Sequence, residues 1–151
     1  MTSARAETIR GTHPVRTAAL VLAIVFLLVG ILGFIPGVTT DYDGMKFAGP
    51  DSTAMLFGVF CVSILHNVVH LLFGIVGIAL ARTVPGATAF LIGGGVVYAV
   101  LWLYGLLIDH DSAANFVPVN DADNWLHLAL AVVMIGLGLA LRRSPARRAA
   151  V

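Results

Sequence analysis

Four long stretches of this chain contain no aspartate, glutamate, lysine or arginine. They run from Thr17 to Thr40, Ser52 to Ala81, Thr83 to Ile108 and Asn124 to Leu141. A helix needs about 20 predominantly apolar residues to cross the hydrocarbon core of a bilayer, and each stretch is long enough. The second has residues to spare, which tilt or a turn projecting into water would absorb. Charged residues make up only 11% of the chain and apolar ones 59%. Soluble domains carry about 25% charged residues, so too few are present here to cover a water-facing surface. The lipid bilayer is the expected partner of most of this surface. Because lipid offers backbone groups no hydrogen bonds, the stretches are expected to be helices. The predicted fold is an all-α integral membrane four-helix bundle in 17–142, with spans at about 17–36, 54–81, 86–108 and 122–141.

Local signals mark the boundaries. Pro36-Gly37 is expected to stop the first helix, and Pro85-Gly86 to form a tight turn between the second and third. Pro118 precedes the fourth, for which Asn120, Asp121 and Asp123 are candidate N-caps. Trp125 stands where an interfacial aromatic belongs. The first apolar run is long for a signal peptide and lacks an A-x-A-like site, so it is read as an uncleaved span.

Arg5, Arg10, Arg16, Arg82, Arg142, Arg143, Arg147 and Arg148 fall on one side of a four-span chain, and Lys46 alone on the other. The positive-inside rule makes the arginine side cytoplasmic. The expectation is a plasma-membrane protein with both termini inside: a cytoplasmic tail 1–16, and a basic tail 143–151 that snorkels to anionic headgroups. A net charge of +1 gives no basic field for nucleic acid. Cys61, the single cysteine, excludes an internal disulfide or a CxxC motif and reads as a small buried hydrophobe.

The spans pair into two helical hairpins with a faint internal echo. Asn67-Val-Val-His70-Leu71 in the second span is matched by Asn124-Trp-Leu-His127-Leu128 in the fourth. Sixteen glycines point to close helix packing, with Gly77-x-x-x-Ala81 and Gly136-x-x-x-Ala140 as small-residue pairs inside the bundle or on a homo-oligomer face.

Polar residues inside spans are costly and mark functional sites by default. His66 and His70 share one helix face, with Asn67 on its flank. Counted from Arg82 and Arg142 at about 1.5 Å per residue, His66 and His127 lie roughly 24 and 22 Å up, and His70 about 18 Å. Tyr98 and Trp102 reach the same layer from the third span, with Asp123 and Asn124 just above. One use of such a cluster is a metal site with His66, His70 and His127 as ligands, or a haem axial site, because neutral imidazole ligates Zn, Cu or Fe. This is not HExxH, since Asn67 stands where the general base would be. A proton relay or a small-ligand pocket is another use. The bland alternative is interhelical hydrogen bonding at about 0.6–2 kcal/mol per bond. No nucleophile–base arrangement and no phosphate loop is visible, so the chain is not expected to be an enzyme. His110 is expected to be external and solvated, and His13 uninformative.

Three stretches carry a family resemblance: Gly58-Val-Phe-Cys-Val-Ser-Ile-Leu-His66-Asn67-Val-Val-His70-Leu-Leu-Phe-Gly74, Gly93-Gly-Gly-Val-Val-Tyr98, and Ala114-Asn-Phe-Val-Pro118-Val-Asn-Asp-Ala-Asp-Asn124-Trp-Leu-His127. In this order they resemble a bacterial four-span membrane family catalogued as domain of unknown function 4383, over roughly Arg16 to Leu141. The resemblance implies the four-helix membrane fold and no activity. Three functions follow as expectations. The first is a small structural or accessory membrane protein, which assembles with itself or a membrane partner. The second is a metal- or haem-binding redox protein. The third is a pocket opening outward beneath residues 113–118.

Overall fold

A computed structural model describes residues 13–142. Arg5, Arg10 and the basic tail 143–151 lie outside the described residues. Four helices dominate: α1 (Pro14–Leu32), α2 (Ile64–Leu80), α3 (Val84–Leu107) and α4 (Asp121–Leu141). α1, α3 and α4 are long and apolar enough to cross a membrane, and α2 is an apolar helix of 17 residues. The outward-facing positions are Leu, Ile and Val, as at Leu72, Val132 and Leu107, which are 56%, 64% and 84% exposed. That is the surface of a helix bundle whose solvent is lipid.

The end of the bundle that carries the α1–α2 connection departs from the all-helical expectation. Residues 54–63, expected within the second span, are not helical. They include β2 (Met55–Leu56) and β3 (Phe60–Cys61), which join β1 (Thr39–Thr40) in a small antiparallel sheet ordered β1-β2-β3. An uncharged stretch records what surrounds it, not its backbone. Here Phe57 and Gly58 take positive φ to turn the β2–β3 hairpin. Ser63 then caps α2, its side chain accepting from His66 N at 3.1 Å. α1 also ends early: Gly33 is its C-cap, before Pro36-Gly37. Pro85 and Gly86 sit inside the first turn of α3 rather than in a tight turn before it. Thr83 is the N-cap there, and proline is favoured where its missing N–H has no helical partner. Of the three candidate N-caps of α4, Asn120 takes the position, and Asp123 closes a capping box with it.

The helices pack as two antiparallel pairs, α1 with α2 and α3 with α4, with fewer contacts between the pairs. The second helix of each pair carries matched positions at the same spacing, all buried except the half-buried His70 and Asn120. Ser63, His66, Asn67, His70, Gly74, Gly77 and Ala81 correspond to Asn120, Asp123, Asn124, His127, Ala131, Met134 and Gly138. The first helices repeat too: Val15, Ala19, Ala23, Phe26 and Gly33 correspond to Ala87, Leu91, Gly95, Tyr98 and Gly105. Corresponding residues make corresponding contacts. A Cβ on Gly33 would overlap Asn67 Oδ1, and one on Gly105 would overlap Asn124 Oδ1. The faint sequence echo thus extends to matched positions along all four helices, but not to the connections, of which only the first carries the sheet.

The two small-residue pairs behave differently. Gly77 and Ala81 are buried, and a Cβ on Gly77 would strike Phe90 and Ala23 at 2.5 and 2.6 Å. Gly136 and Ala140 are exposed, and nothing lies within 4 Å of a Cβ built on Gly136. Gly138 is the packed residue of α4, 2.7 Å from Ile92 by the same measure. Gly33→Ala and Gly105→Ala are therefore predicted to lower stability by about 1–3 kcal/mol, the usual cost of overpacking. Gly136→Ala should leave it unchanged or slightly raised, since alanine is the better helix former. Thermal unfolding of the four proteins in one mild detergent checks this. Equal losses at Gly33 and Gly136 would contradict the packing described.

Candidate functional site

The matched helices bring the polar layer together at the end of the bundle that carries the sheet. Ser63 starts α2 so that His66 and Asn67 fall in its first turn, pointing inward, with His70 one turn below. The His66 and His70 rings stack with centroids 4.6 Å apart and planes 5° apart. His127 of α4 tilts against Tyr98 of α3 at 5.4 Å and 54°. The corresponding contact in the first hairpin is Phe26 of α1 against His70, at 5.9 Å and 50°. Phe26 and Tyr98 then stack on each other between the hairpins, 5.3 Å apart and 9° from parallel. Phe26 gives no signal in the sequence, where it is one phenylalanine within an apolar span.

His66, Asn67, Asp123, Asn124 and His127 are each at most 6% exposed. Asp123 is well partnered: its Oδ2 accepts from Cys61 N and Asn120 N, both at 3.0 Å. With Asn120 Nδ2 donating to Val59 O at 2.9 Å, it fastens the start of α4 to the sheet. The others are not satisfied in this way. His66 Nδ1, His127 Nδ1, Asn67 Oδ1 and Asn124 Oδ1 are buried without a hydrogen-bond partner. The proton position of the His70 ring follows from its neighbour. His70 Nδ1 lies 3.0 Å from the His66 carbonyl, which can only accept, so Nδ1 carries the proton and Nε2 a lone pair.

Two small cavities flank this layer, and both are lined by His66, His70 and His127. One, of about 70 Å³, opens between α1 and α4 beside Val29, Leu126 and Leu130, under Leu56 and Phe60, with Asp123 on its wall. The other, of about 80 Å³, opens between α2 and α3 beside Val69, Tyr98 and Leu101, under Val117. Val29 corresponds to Leu101, Leu126 to Val69 and Asp123 to His66, so the cavities are the same cleft in the two repeats. Trp102, expected in the layer, is half-buried and lines neither. Residues 113–118 fold over the bundle: Asn115 bonds His110 O, Val119 O and Val119 N, and Gly49 N donates to Phe116 O at 2.9 Å. His110 is not simply solvated, since its Nε2 pairs with Gly105 O at 2.9 Å near the end of α3.

Among the described residues, no group of three or more His, Cys, Asp or Glu is arranged to hold a metal ion. The three histidines expected as ligands do meet, but as stacked and tilted rings around cavities. Cavities of 70–80 Å³ do not admit a haem macrocycle. Ser63 is engaged as a helix cap, its Oγ accepting from His66 N.

Cys61 lies outside the four helices, with Sγ 3.5 Å from Ser52 O. Burial, and then the Asp123 carboxylate, push its thiol up to about 11. At pH 7 only about one thiol in ten thousand is then ionised. Alkylation of Cys61 by iodoacetamide in the folded protein is predicted to rise about tenfold per pH unit up to about pH 10. A plateau near pH 9, as for an ordinary thiol, would contradict this placement.

No curated protein and no solved structure matches the chain. The family model described as a domain of unknown function (DUF4383) matches residues 16–140, which include every residue of the polar layer. The chain belongs to that family.

Proposed function

We propose that this chain is a plasma-membrane protein with both termini in the cytoplasm, and that its outward histidine layer is a small-ligand binding site between two helical hairpins. The sidedness rests on the arginines, and the function on the unpartnered nitrogens of His66 and His127, residues more than nine-tenths buried that line both cavities. A layer that served only to tie helices together would pair these atoms across helices, because an unmade hydrogen bond in such a place costs about 1–3 kcal/mol. Binding sites characteristically tolerate that cost, since the ligand supplies the missing partner. The cluster is also where two repeats meet, the position that membrane proteins built from repeats use for their ligands.

The two roles predict opposite effects of removing a nitrogen while keeping the ring. His127→Phe should match or exceed the wild type in thermal stability, because it deletes an unpartnered buried atom and preserves the packing on Tyr98. A loss of about 1 kcal/mol or more, restored by His127→Asn, would instead mark the histidine as helix-tying and contradict the proposal. Reporter tags on the two ends should both be protected in intact cells, and an exposed tag at either end would overturn the sidedness.

A further inference from the structure

We infer that the tip of the β2–β3 hairpin, Phe57-Gly58-Val59, is inserted among the lipid acyl chains of the leaflet at the sheet end, as a non-helical membrane anchor beside α1 and α4. This insertion is independent of whatever the histidine layer binds.

The tip hangs alongside the helices rather than above them. Phe57 lines the cavity between α1 and α4 together with Leu126 and Leu130. Those leucines lie five and nine residues after Asp121, the first residue of α4, so about 8 and 14 Å along it. The length of α2 leads to the same depth. Arg82 follows it closely and marks the opposite membrane boundary, because a charge is costly in the core. The 17 residues of α2 span about 26 Å, less than the roughly 30 Å of a hydrocarbon core. At the sheet end the core therefore reaches what precedes Ile64, which is β3 and the turn before it. The lack of charge agrees: no Asp, Glu, Lys or Arg occurs between Asp51 and Arg82.

Non-helical backbone is tolerated at such depth only where its polar groups are paired, and the N–H groups of the tip are. Phe57 N donates to Val38 O at 2.9 Å, and Gly58 N and Val59 N donate to Met55 O and Leu56 O, both at 3.1 Å. α4 covers the outer edge of β3: Cys61 N donates to Asp123 Oδ2 at 3.0 Å, and Asn120 Nδ2 to Val59 O at 2.9 Å. Water would have paired these groups without such cover.

The side chains fit lipid as well. Phe57 and Val59 are 57% and 46% exposed. Phe57 and Gly58 have φ of 54° and 68°, and with the Val59–Leu56 bond they form the kind of turn for which Asn-Gly is favoured. A phenylalanine is disfavoured at positive φ, and the fold buries less than half of it in return. Acyl chains supply the apolar contact that the fold does not. This surface is continuous with the exposed Leu126 on the lipid-facing side of α4, so the occupant is the lipid already there rather than a protein partner.

The test uses the full-length protein with Trp102→Phe and Trp125→Phe, so that Phe57→Trp provides the only indole. It is reconstituted in phosphatidylcholine vesicles whose acyl chains carry bromine either near the headgroup or near the middle, with iodide as the quencher in the water on both sides. Bromine near the headgroup should lower the emission about twofold or more, and iodide by less than about a tenth. Val59→Trp in the same background is a second probe should Phe57→Trp fail to fold, and the same response is expected of it. Val132→Trp, eleven residues after Asp121 on the exposed face of α4, should respond to bromine near the middle. That response separates failure of the tip to insert from failure of the protein to enter the membrane. Quenching of the tip by iodide, with Val132→Trp answering to bromine, would place the hairpin in water and overturn the insertion. Shielding of the tip from both quenchers would mean that protein, such as a second copy of the chain, covers it, and would overturn the insertion too.

Discussion

An amide side chain inside an apolar bundle must lie against something that makes room for it. Here Asn67 is seated on Gly33 and Asn124 on Gly105, so closely that no β-carbon fits between them. That contact sets the depth and rotation of the second helix of each hairpin against the first. Everything on the same turns follows from it. His70 and His127 lie three residues after these asparagines, which delivers one imidazole from each hairpin to the same layer. Phe26 and Tyr98 receive them and stack on each other. In lipid, where burial of apolar surface does not hold helices together, close approach at small residues is the main source of such order.

The layer's polar groups fall into two kinds, and the difference separates scaffold from site. Asp123, Asn120 and Ser63 spend their hydrogen bonds on helix starts and on the sheet. His66 and His127 keep ring nitrogens without partners beside cavities. The capping groups stabilise the outer ends of α2 and α4, and the small sheet and the 113–118 segment roof them. The histidines gain nothing comparable from the fold. One matched position falls into a different kind in each hairpin: His66 in the first, with an unpartnered ring nitrogen, and Asp123 in the second, with its carboxylate bonded to helix start and sheet.

The bundle was legible in the sequence because water would not tolerate four spans in a row without a single charge, whereas lipid requires them. The polar layer was legible because levelling helices by rise per residue brings His66, His70, Tyr98 and His127 to one height. What escaped was set by backbone conformation and by partners distant in sequence. Residues 54–63 are as uncharged as any helix, yet a positive φ at Phe57 and Gly58 turns them into a hairpin. Trp102 shares the height of Tyr98 but not its orientation. Phe26, Gly33 and Gly105 are apolar or small residues among many like them, and only the packed structure shows which of them meet the layer. The short Asn-x-x-His-Leu echo was the one visible trace of a repeat whose remaining matches are of size and burial, not of residue type.

A high-resolution experimental structure of the protein in a lipid nanodisc tests the central claim most directly. Non-protein density is expected in a cavity beside the histidine layer, with an atom about 2.6–3.2 Å from a ring nitrogen of His66 or His127. Asn67 and Asn124 should remain on their glycines. Closed clefts, with the histidine rings turned to bond one another or the asparagines across the helices, would contradict a binding site in this layer.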